Sequence, residues 1–530
     1  MALKAVTEGG TYLLLLLLLL PLFLLFILKN FKSSRPPKTP PLPPGPKPWP
    51  VIGNILHMGK KPHLTLTSFA QTYGPLVSLR LGTQTLVVGS SSAAAMEILK
   101  THDRVLSGRC VPFVSPAKNM EMNHISMGWS VECNENWKFL RTLCRTELFS
   151  GAALESQACL RENKVMDMVK YLSGKEGKVV KIAEVVFATL FNVLSSLMIS
   201  KDFITLGEEG EEGEDGGIKD RIRRILETYA TPNLSDFYPV LGKFDLQGLQ
   251  KKSEVLMERV CAMWEPIVEE RKGRLSGDSS CQQDFLDTLL TNSFSNDQIN
   301  HLLLVCSLSL SLSEFYRVLH KYLLASELEE LLTAGTETSA STIEWAMAEL
   351  MRSPECMTKV REELVREAGQ DFPKESQLSQ LPYLQACVKE CLRLHPPTPL
   401  MLPHRALESC QVMNYTVPKN AQLVVNVWAI GRDPMSWEEP LKFKPERFLS
   451  SALDFKGNDF EFLPFGAGRR ICPGLPMAAR HVPLVLASLI HSFDWSLPLG
   501  KSASELDMTE KLAITLQKEQ PLLLIPKVRK

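Results

Sequence analysis

The sequence predicts a mainly α protein with a smaller β-rich portion, placed after an N-terminal membrane helix. Three observations support this fold class. Residues 11–28 are almost wholly apolar, which is typical of a membrane-spanning helix. Short apolar runs at 76–81 and 85–88 lie between Gly and Pro residues and predict strands of a small sheet. Residues 331–350 and 383–394 carry apolar side chains at helical spacing, which predicts buried helices.

Composition restricts the partners of the chain. Its 530 residues are 45% hydrophobic, which is ample for a large core, and Lys plus Arg equals Asp plus Glu at 59 each. A chain with zero formal charge lacks the cationic surplus that phosphate binding requires, so we expect no nucleic-acid partner. The 12 cysteines are scattered singly. That spacing predicts reduced thiols facing the cytosol rather than a disulfide framework.

The N-terminal apolar run has the length of a membrane span. As a helix, residues 11–28 rise roughly 27 Å, close to the ~30 Å hydrocarbon core of a bilayer. A cleaved signal peptide is the alternative, but the run exceeds a usual signal core and no small-residue cleavage site follows it. Lys29, Lys32 and Arg35 follow the run, whereas only Lys4 precedes it. The positive-inside rule therefore places the rest of the chain in the cytosol.

This charge pattern divides the chain into three parts. We expect a membrane anchor over residues 1–35, and a proline-rich linker over 36–50 that is extended and semi-rigid. Residues 51–530 then form a single large domain. The linker would hold that domain in a set orientation against membrane lipid.

One cysteine lies in a loop that is rich in glycine and arginine. Residues 465–474 read Phe-Gly-Ala-Gly-Arg-Arg-Ile-Cys-Pro-Gly, and an apolar helical pattern follows. Glycines let the backbone turn tightly and approach a large flat ligand. Arg469, Arg470 and the nearby helix start favour a thiolate at Cys472, and a thiolate can be an axial ligand to haem iron. The alternative is a surface turn with an incidental buried cysteine.

The helix predicted over residues 331–350 has an unusual composition for a buried element. It combines an apolar face with a glycine and several Thr and Ser residues, whose hydroxyl groups can bond to the preceding turn. The small residues Ala334 and Gly335 leave room for a ligand such as dioxygen. Glu337 and Thr338 supply an acid and a hydroxyl group that can relay protons. By itself, such a pair is more often part of a solvated helix face.

Together these stretches resemble a known family. The spacing Phe-x-x-Gly-x-Arg-x-Cys-x-Gly in residues 465–474 resembles the haem-binding signature of the cytochrome P-450 monooxygenases, with every fixed position filled. Residues 334–339, Ala-Gly-Thr-Glu-Thr-Ser, resemble the oxygen-activation motif of the same family. The resemblance implies the cytochrome P-450 fold, with haem b between the hydroxyl-rich helix and the cysteine loop.

The resemblance also implies roles for individual residues. Cys472 would be the thiolate ligand of the haem iron, and Glu337 and Thr338 would deliver protons. Electrons from NADPH would arrive through a membrane-bound NADPH–cytochrome P-450 reductase, and the substrate would be a small hydrophobic or amine compound. The other residues of the loop expected to bind the cofactor are Phe465, Arg470 and Gly474.

Two further patterns point to the carboxylate groups of a haem. The helix predicted over residues 136–149 carries Trp137 and Arg141 on one face. A surface cation lying on a core tryptophan is the alternative, and the resemblance implies that both side chains hold a propionate. Arg405, in the sequence Pro-His-Arg, resembles a second propionate ligand, the alternative being a solvated strand end.

A Glu-x-x-Arg pattern on the helix predicted over residues 383–394 has a structural interpretation. Glu390 and Arg393 lie three residues apart, a spacing that is usually a surface ion pair. The resemblance implies that both join Arg447 in a buried ion network. Buried charges are costly unless they are mutually paired, so we expect removal of any one of them to be severe.

The approach to the hydroxyl-rich helix contains an anomaly. Residues 297–304 look like its first turns, and in relatives this pattern runs almost directly into an acidic residue and the Ala-Gly motif. Here about 25 residues intervene, at 305–329, which is long against typical helix lengths. One hypothesis is a retained intron or gene-model error. The other is a genuine insertion that forms an extra helix over residues 314–332.

The substrate class rests on resemblance alone. Residues 101–107, 146–149, 231–233 and 236–239 resemble plant microsomal enzymes that act on benzylisoquinoline alkaloids such as N-methylcoclaurine or reticuline, which implies a single-pass protein of the endoplasmic reticulum membrane. That group includes N-methylcoclaurine hydroxylases and corytuberine-type phenol-coupling enzymes, and the motifs do not separate hydroxylation from coupling. A terpenoid hydroxylase is the alternative. An alternative of another class is a haem-binding protein that the insertion has made inactive.

Overall fold

The computed structural model describes residues 40–115, 126–207, 218–275, 284–292, 312–498 and 502–529. The α-helices are Ile55–Met58, Pro62–Tyr73, Ser92–Met96, Asp103–Leu106, Glu135–Glu147, Gly151–Ser156, Ala158–Ser173, Ile182–Ile199, Ile218–Ala230, Leu234–Phe237, Leu249–Leu275, Phe285–Asn292, Leu312–Arg352, Pro354–Ala368, Pro382–Leu394, Val427–Ile430 and Leu475–Ser492. The strands are Leu76–Leu81, Gln84–Gly89, Gly108–Arg109, Val180–Lys181, His404–Arg405, Cys410–Val412, Tyr415–Val417, Gln422–Val425, Phe493–Ser496, Glu510–Leu512, Leu516–Lys518 and Leu523–Val528.

Five of these strands form the main sheet. Their order is Leu76–Leu81, Gln84–Gly89, Gln422–Val425, His404–Arg405 and Gly108–Arg109. The second and third strands run parallel, and the other neighbours are antiparallel. The last pairing sets Arg109 opposite His404. Two basic segments that lie far apart in the sequence therefore meet at one edge of the sheet.

The helical portion is built around the apolar helix Ile182–Ile199. Most of its side chains are buried, and it packs along the long helix Leu312–Arg352. The long helix also packs against Leu475–Ser492, which follows the cysteine loop. Among the described residues, Ile182–Ile199 alone is long and apolar enough to cross a membrane, but 83% of it is buried inside the domain. It is therefore a core helix.

The predicted fold class, mainly α with a smaller β-rich portion, is confirmed. The strands predicted at 76–81 and 85–88 are present. The sequence of residues 411–417 predicts a single short strand, but the structure has a hairpin there, because Met413 and Asn414 adopt φ angles of 47° and 66°. Left-handed conformations at both central residues are those of a two-residue hairpin turn, which reverses the chain.

The hydroxyl-rich helix is longer than predicted. It runs without a break over Leu312–Arg352, so the extra helix expected over 314–332 is not a separate element. Leu328 and Leu332 are buried in the main core, as are Ile343 and Met347 further along. The earlier part of the anomalous segment, residues 305–311, lies outside the described residues. The same is true of the expected anchor over 1–35 and of the linker up to residue 39.

The predicted ion network is confirmed. Glu390 is fully buried, and its two carboxylate oxygens each accept a hydrogen bond of 2.7 Å from Arg393. Arg447 Nε lies 2.9 Å from Glu390 Oε1. Because Arg447 belongs to the 3-10 helix Pro445–Phe448, the network joins helix Pro382–Leu394 to the segment that leads into the cysteine loop.

Candidate active site

A cavity of about 410 Å³ lies between the long helix and the cysteine loop. The long helix contributes residues between Glu330 and Thr342 to its wall, and the opposite wall comes from the loop and the start of helix Leu475–Ser492. Most of the remaining lining is apolar, with a few polar groups among it. This combination is typical of a site for a cofactor or an organic substrate.

The cysteine loop presents a thiol to this cavity. Gly468 has a φ of 68°, and a Cβ atom there would collide with the carbonyl oxygen of Leu99. Only glycine satisfies both conditions. The Cys472 backbone N–H then closes the turn by donating to Phe465 O at 2.9 Å. Cys472 lines the cavity, so the exposed surface of its side chain faces the cavity lumen.

The electrostatics of Cys472 differ from the sequence-based expectation. Burial raises the pKa of its thiol, and the backbone N–H groups of Gly474 and Leu475 and the charge of Arg141 oppose that rise. The expected contribution from the start of the following helix is therefore present. The expected contribution from Arg469 and Arg470 is wrong, and Arg141 is the cation that acts on the thiol.

The positions of the two loop arginines explain this correction. Arg469 Nε lies 3.0 Å from Asp103 Oδ2, in a half-exposed ion pair. Arg470 donates from Nε to Ser107 O at 2.9 Å and from Nη2 to Ser130 O at 2.6 Å. Both guanidinium groups are thus engaged by other partners.

Trp137 brings two predicted cofactor-binding arginines together. Its indole N–H donates to Met127 O at 2.8 Å, and its side chain is buried. The guanidinium carbons of Arg141 and Arg470 lie 5.3 Å and 4.8 Å from its ring centroid, within the range of cation–π attraction. Arg141 also donates from Nη2 to Ile471 O at 2.5 Å, which links this helix to the cysteine loop. Arg141 and Arg470 line the cavity, whereas Trp137 supports them from behind.

Two basic residues of the cavity wall were missed from the sequence. Arg109 and His404 both line the cavity, on paired strands. Burial and the charge of Arg470 lower the pKa of Arg109 to about 9. Burial also holds the pKa of His404 well below its usual value, and its Nδ1 lies 2.7 Å from Leu106 O. A lone arginine in the otherwise apolar run around residue 109 was the available signal for the first of them.

Arg405 lies next to His404 but is not part of the cavity wall. Successive side chains of a strand point to opposite faces, so only one of the two can face the cavity. The Nε atom of Arg405 is buried and has no hydrogen-bond partner within the described protein. Its role as a propionate ligand stays a prediction.

The predicted proton-relay residues lie on the cavity face of the long helix. Glu337 and Thr338 both line the cavity. Thr338 Oγ1 donates to Ala334 O at 2.7 Å, so the hydroxyl group bonds back to the preceding turn as expected. Glu337 Oε1 accepts a hydrogen bond from Gln517 Nε2, and the same amide nitrogen lies 3.1 Å from Thr515 Oγ1. The strand Leu516–Lys518 therefore contacts Glu337, and this contact could not be predicted from the sequence.

The residues present fit a haem held by a thiolate. One thiol faces the cavity, and the guanidinium groups of Arg109, Arg141 and Arg470 converge on the same wall. Burial lowers the pKa of all three, and the positive charge of a neighbouring arginine lowers each of them further. The carboxylates of a haem would offset this cost, and its iron would take the thiolate. Phe465 lines the same wall, and Gly474 contributes its backbone N–H.

The rest of the cavity wall is formed by other segments than the sequence suggested. The irregular, aromatic sequence of residues 231–244 predicts either a core cluster or the roof of a substrate pocket, and none of these residues lines the cavity. Phe237 packs against the core of the sheet, and Phe244 is 68% exposed. The wall includes Ile225, Leu226 and Tyr229 from the preceding helix, Ile218–Ala230. The sequence of residues 110–128 has no clear period, which predicts a binding loop. Residues 126–128 line the cavity, and residues 116–125 lie outside the described part of the chain.

Comparison with known proteins gives consistent matches over nearly the whole chain. A profile of the cytochrome P-450 family matches residues 43–525. The chain is 50% identical to the probable (S)-N-methylcoclaurine 3'-hydroxylase isozyme 2 of Coptis japonica, over 92% of this chain and 93% of the relative. It is 49% identical to (S)-N-methylcoclaurine 3'-hydroxylase isozyme 1 of Papaver somniferum, over 92% and 95%. It is 46% identical to corytuberine synthase of Coptis japonica, over 92% and 94%.

Proposed function

The chain belongs to the cytochrome P-450 family, whose members are haem-thiolate monooxygenases, and we propose that its substrate is a benzylisoquinoline alkaloid such as N-methylcoclaurine or reticuline. The observation that carries the proposal is the 50% identity with an N-methylcoclaurine 3'-hydroxylase over 92% of the chain. The family profile, over residues 43–525, includes every segment of the cavity wall. The largely apolar lining, with Tyr229 and a few polar groups, suits a small aromatic amine.

When bound, the haem supplies the oxidising chemistry that activates dioxygen, and the protein supplies binding, orientation and protons. Cys472 would hold the iron, and its thiolate would favour O–O cleavage. Arg109, Arg141 and Arg470 would hold the carboxylate side. Glu337 and Thr338, which both line the cavity, would supply the carboxyl and hydroxyl groups that relay protons.

Two kinds of oxidation are compatible with these residues. Hydroxylation inserts one oxygen atom into the substrate, whereas phenol coupling removes two hydrogen atoms and inserts none. The relatives include proteins named for each outcome, the 3'-hydroxylases and corytuberine synthase. Identity is slightly higher with the hydroxylases, at 50% against 46%, which favours hydroxylation as the first candidate.

An inactive haem-binding protein was the alternative from another class. It required the anomalous segment to block the pocket. The described part of the long helix instead keeps Glu337 and Thr338 on the wall of an open cavity, and the helix remains packed against Ile182–Ile199. These contacts support an active enzyme.

The test uses the full-length chain in microsomes that also contain NADPH–cytochrome P-450 reductase. We expect a reduced carbon-monoxide difference spectrum of a thiolate-ligated haem, and NADPH-dependent conversion of (S)-N-methylcoclaurine to a product with one more oxygen atom. Reticuline tests coupling, through a product that has lost two hydrogen atoms. A correct spectrum with turnover of a monoterpenol and of neither alkaloid would reject the alkaloid assignment. A parallel variant that lacks residues 305–329 shows whether that segment limits turnover.

We propose in addition that the domain is held on the cytosolic face of the endoplasmic reticulum membrane by a single N-terminal helix. Support comes from an apolar patch beside the point where the described chain begins. The patch consists of the exposed residues Trp49, Val51, Leu56, Val240, Phe244 and Leu246, all at least 59% exposed. Tyr238 Oη donates to Val51 O at 3.1 Å, which links residues 49–56 to residues 238–246. Exposed apolar surface of this extent is typical of a contact with a membrane or partner.

Topology is testable on intact microsomes. A tag at the C-terminus should be digested by added protease without detergent, while a tag at the N-terminus should be protected. Protection of the C-terminal tag would place the domain in the lumen and contradict the proposal.

A further inference from the structure

Glu330 is a cavity residue that neither proton delivery nor cofactor binding accounts for. It lies on the long helix two turns before Glu337 and lines the cavity. Its Oε2 atom accepts a hydrogen bond from Ser126 Oγ at 2.8 Å, and its Oε1 atom accepts one from the Gly128 backbone N–H at 2.5 Å. Both carboxylate oxygens therefore bind one short segment, residues 126–131.

The carbonyl groups of that segment accept hydrogen bonds from other side chains. Met127 O accepts from the indole of Trp137, and Ser130 O accepts from Arg470 Nη2 at 2.6 Å. Gly128 O accepts from Arg109 Nε at 3.2 Å. The segment therefore makes two sets of hydrogen bonds. Its hydroxyl and backbone N–H groups donate to Glu330, and its carbonyl groups accept from the side chains of Trp137, Arg109 and Arg470.

The fit between Glu330 and the segment is close. A Cβ atom at Gly128 would collide with Glu330 Oε1, so the carboxylate occupies the space that glycine leaves. Burial raises the pKa of Glu330, and the two hydrogen bonds and the charges of Arg109 and Arg470 oppose the rise. An anion at this point also offsets part of the positive charge of the wall.

We propose that Glu330 is a positioning residue for the haem site. Its carboxylate fixes residues 126–131 to the long helix, and the carbonyl groups of that segment in turn fix Arg109, Arg470 and Trp137. The proposal rests on the haem site of the family and not on the identity of the substrate. Residues that hydrogen-bond to cofactor-binding groups without touching the cofactor orient those groups.

The alternative role for a cavity carboxylate is to bind the ammonium group of an amine substrate. The contacts favour positioning, because both oxygens already accept hydrogen bonds from the protein and two guanidinium groups supply positive charge. The two roles make different predictions about cofactor retention without any substrate.

The experiment measures transfer of haem from the purified full-length holoenzyme to excess apomyoglobin. Glu330→Ala should accelerate transfer by about tenfold or more, which is the usual effect of losing such an outer partner. Gly128→Ala should accelerate it too, because the added methyl group displaces the carboxylate. Glu330→Gln keeps a hydrogen-bonding group of the same size and loses the charge, so its effect should be smaller. Glu330→Ala combined with Gly128→Ala should add little to Glu330→Ala alone.

Glu344→Ala is the matched control. Glu344 is a buried carboxylate on the same helix, accepts a backbone N–H from Leu522 at 2.8 Å and does not line the cavity. It should lower thermal stability and leave the transfer rate within about twofold of the wild type, well below the loss expected of an outer cofactor partner. Ser126→Ala, which removes a single hydrogen bond, covers the case in which Glu330→Ala does not fold. Wild-type transfer rates in Ser126→Ala and Gly128→Ala would overturn the proposal. So would a loss of amine affinity in Glu330→Gln with unchanged haem transfer.

Discussion

At the scale of single residues, the chemistry of the thiol depends on one cation that is distant in the sequence. Arg141 precedes Cys472 by more than three hundred residues, yet it acts on the thiol and donates to Ile471 O. Arg469 is almost adjacent in the sequence and is turned away, toward Asp103. The prediction that Arg469 and Arg470 act on the thiol relied on proximity along the chain. It is wrong because a tight loop directs neighbouring side chains to different sides.

A pair of substitutions tests this assignment. Arg141→Ala removes the charge that opposes the raised pKa of Cys472 and the bond to Ile471, so we expect less haem bound per protein and a larger inactive fraction in the carbon-monoxide difference spectrum. Arg469→Ala removes a half-exposed ion pair and should leave both quantities near the wild-type values. Equal losses in the two variants would contradict the assignment.

Gln517 provides a second test at this scale. Its amide binds Glu337 Oε1 and lies near Thr515 Oγ1, so it fixes the carboxyl group that we expect to deliver protons. Gln517→Ala should leave NADPH consumption running while less product and more hydrogen peroxide form, because poorly placed protons waste the electrons. The exposed Lys511 is its register partner on the neighbouring strand, and Lys511→Ala is the control. An unchanged ratio of product to NADPH in Gln517→Ala would show that Glu337 does not need this contact.

At the scale of elements, the connections between helices and loops decide where the site residues lie. The long helix Leu312–Arg352 carries Glu330, Glu337 and a buried apolar face on one continuous rod. The ion network around Glu390 fixes helix Pro382–Leu394 to the approach of the cysteine loop. The ion network contains no residue that is expected to react, and both the network and the long helix restrict the distance between the two walls of the cavity.

The ion network predicts a large effect on stability. Glu390→Gln leaves Arg393 and Arg447 buried without their counter-charge, and breaking a buried pair in this way typically costs ~3–5 kcal/mol. We expect a correspondingly lower midpoint in thermal unfolding of the holoenzyme. Glu439→Gln disrupts an exposed pair with Lys442 and should hardly change the midpoint. Similar midpoints for the two variants would contradict a structural role for the network.

At the scale of the whole molecule, the sequence was informative where a local pattern carries the chemistry. The loop with Cys472 and the cavity-lining residues Glu337 and Thr338 could be predicted from the sequence because each motif is contiguous. Arg109 and His404 could not, because only the pairing of two distant strands places them on one wall. The aromatic composition of residues 231–244 predicts a core cluster or a pocket roof, and the outcome differs along the segment, because Phe237 packs against the core of the sheet whereas Phe244 is exposed. A sequence motif does not specify which distant strands pair, or which side chains of a strand face the cavity.

At this scale we also expect the stability of the domain to depend on pH, because burial lowers the pKa of several histidines. His481 lies on helix Leu475–Ser492, is 2% exposed, and its Nε2 atom has no partner within the described protein. Burial, together with the charge of Arg161, lowers the pKa of His481 to about 3. The unfolded chain binds this proton near the ordinary value of about 6.5, and the folded chain does not. The stabilisation is thus complete above that value and is lost as the pH falls toward about 3.

We therefore expect the free energy of unfolding to fall with acidification, by up to about 1.4 kcal/mol per pH unit from His481 alone. His481→Gln removes the titrating group, so its unfolding midpoint should decline less steeply between about pH 7 and about pH 5 than that of the wild type, even if it is lower at neutral pH. The comparison of slopes cancels the contributions of His395 and His404, whose pKa values burial also lowers. His57→Gln, at an exposed position, controls for the loss of a histidine as such. Identical slopes in the wild type and His481→Gln would show that His481 becomes protonated in the folded protein at mild acidity, and that burial does not exclude the proton.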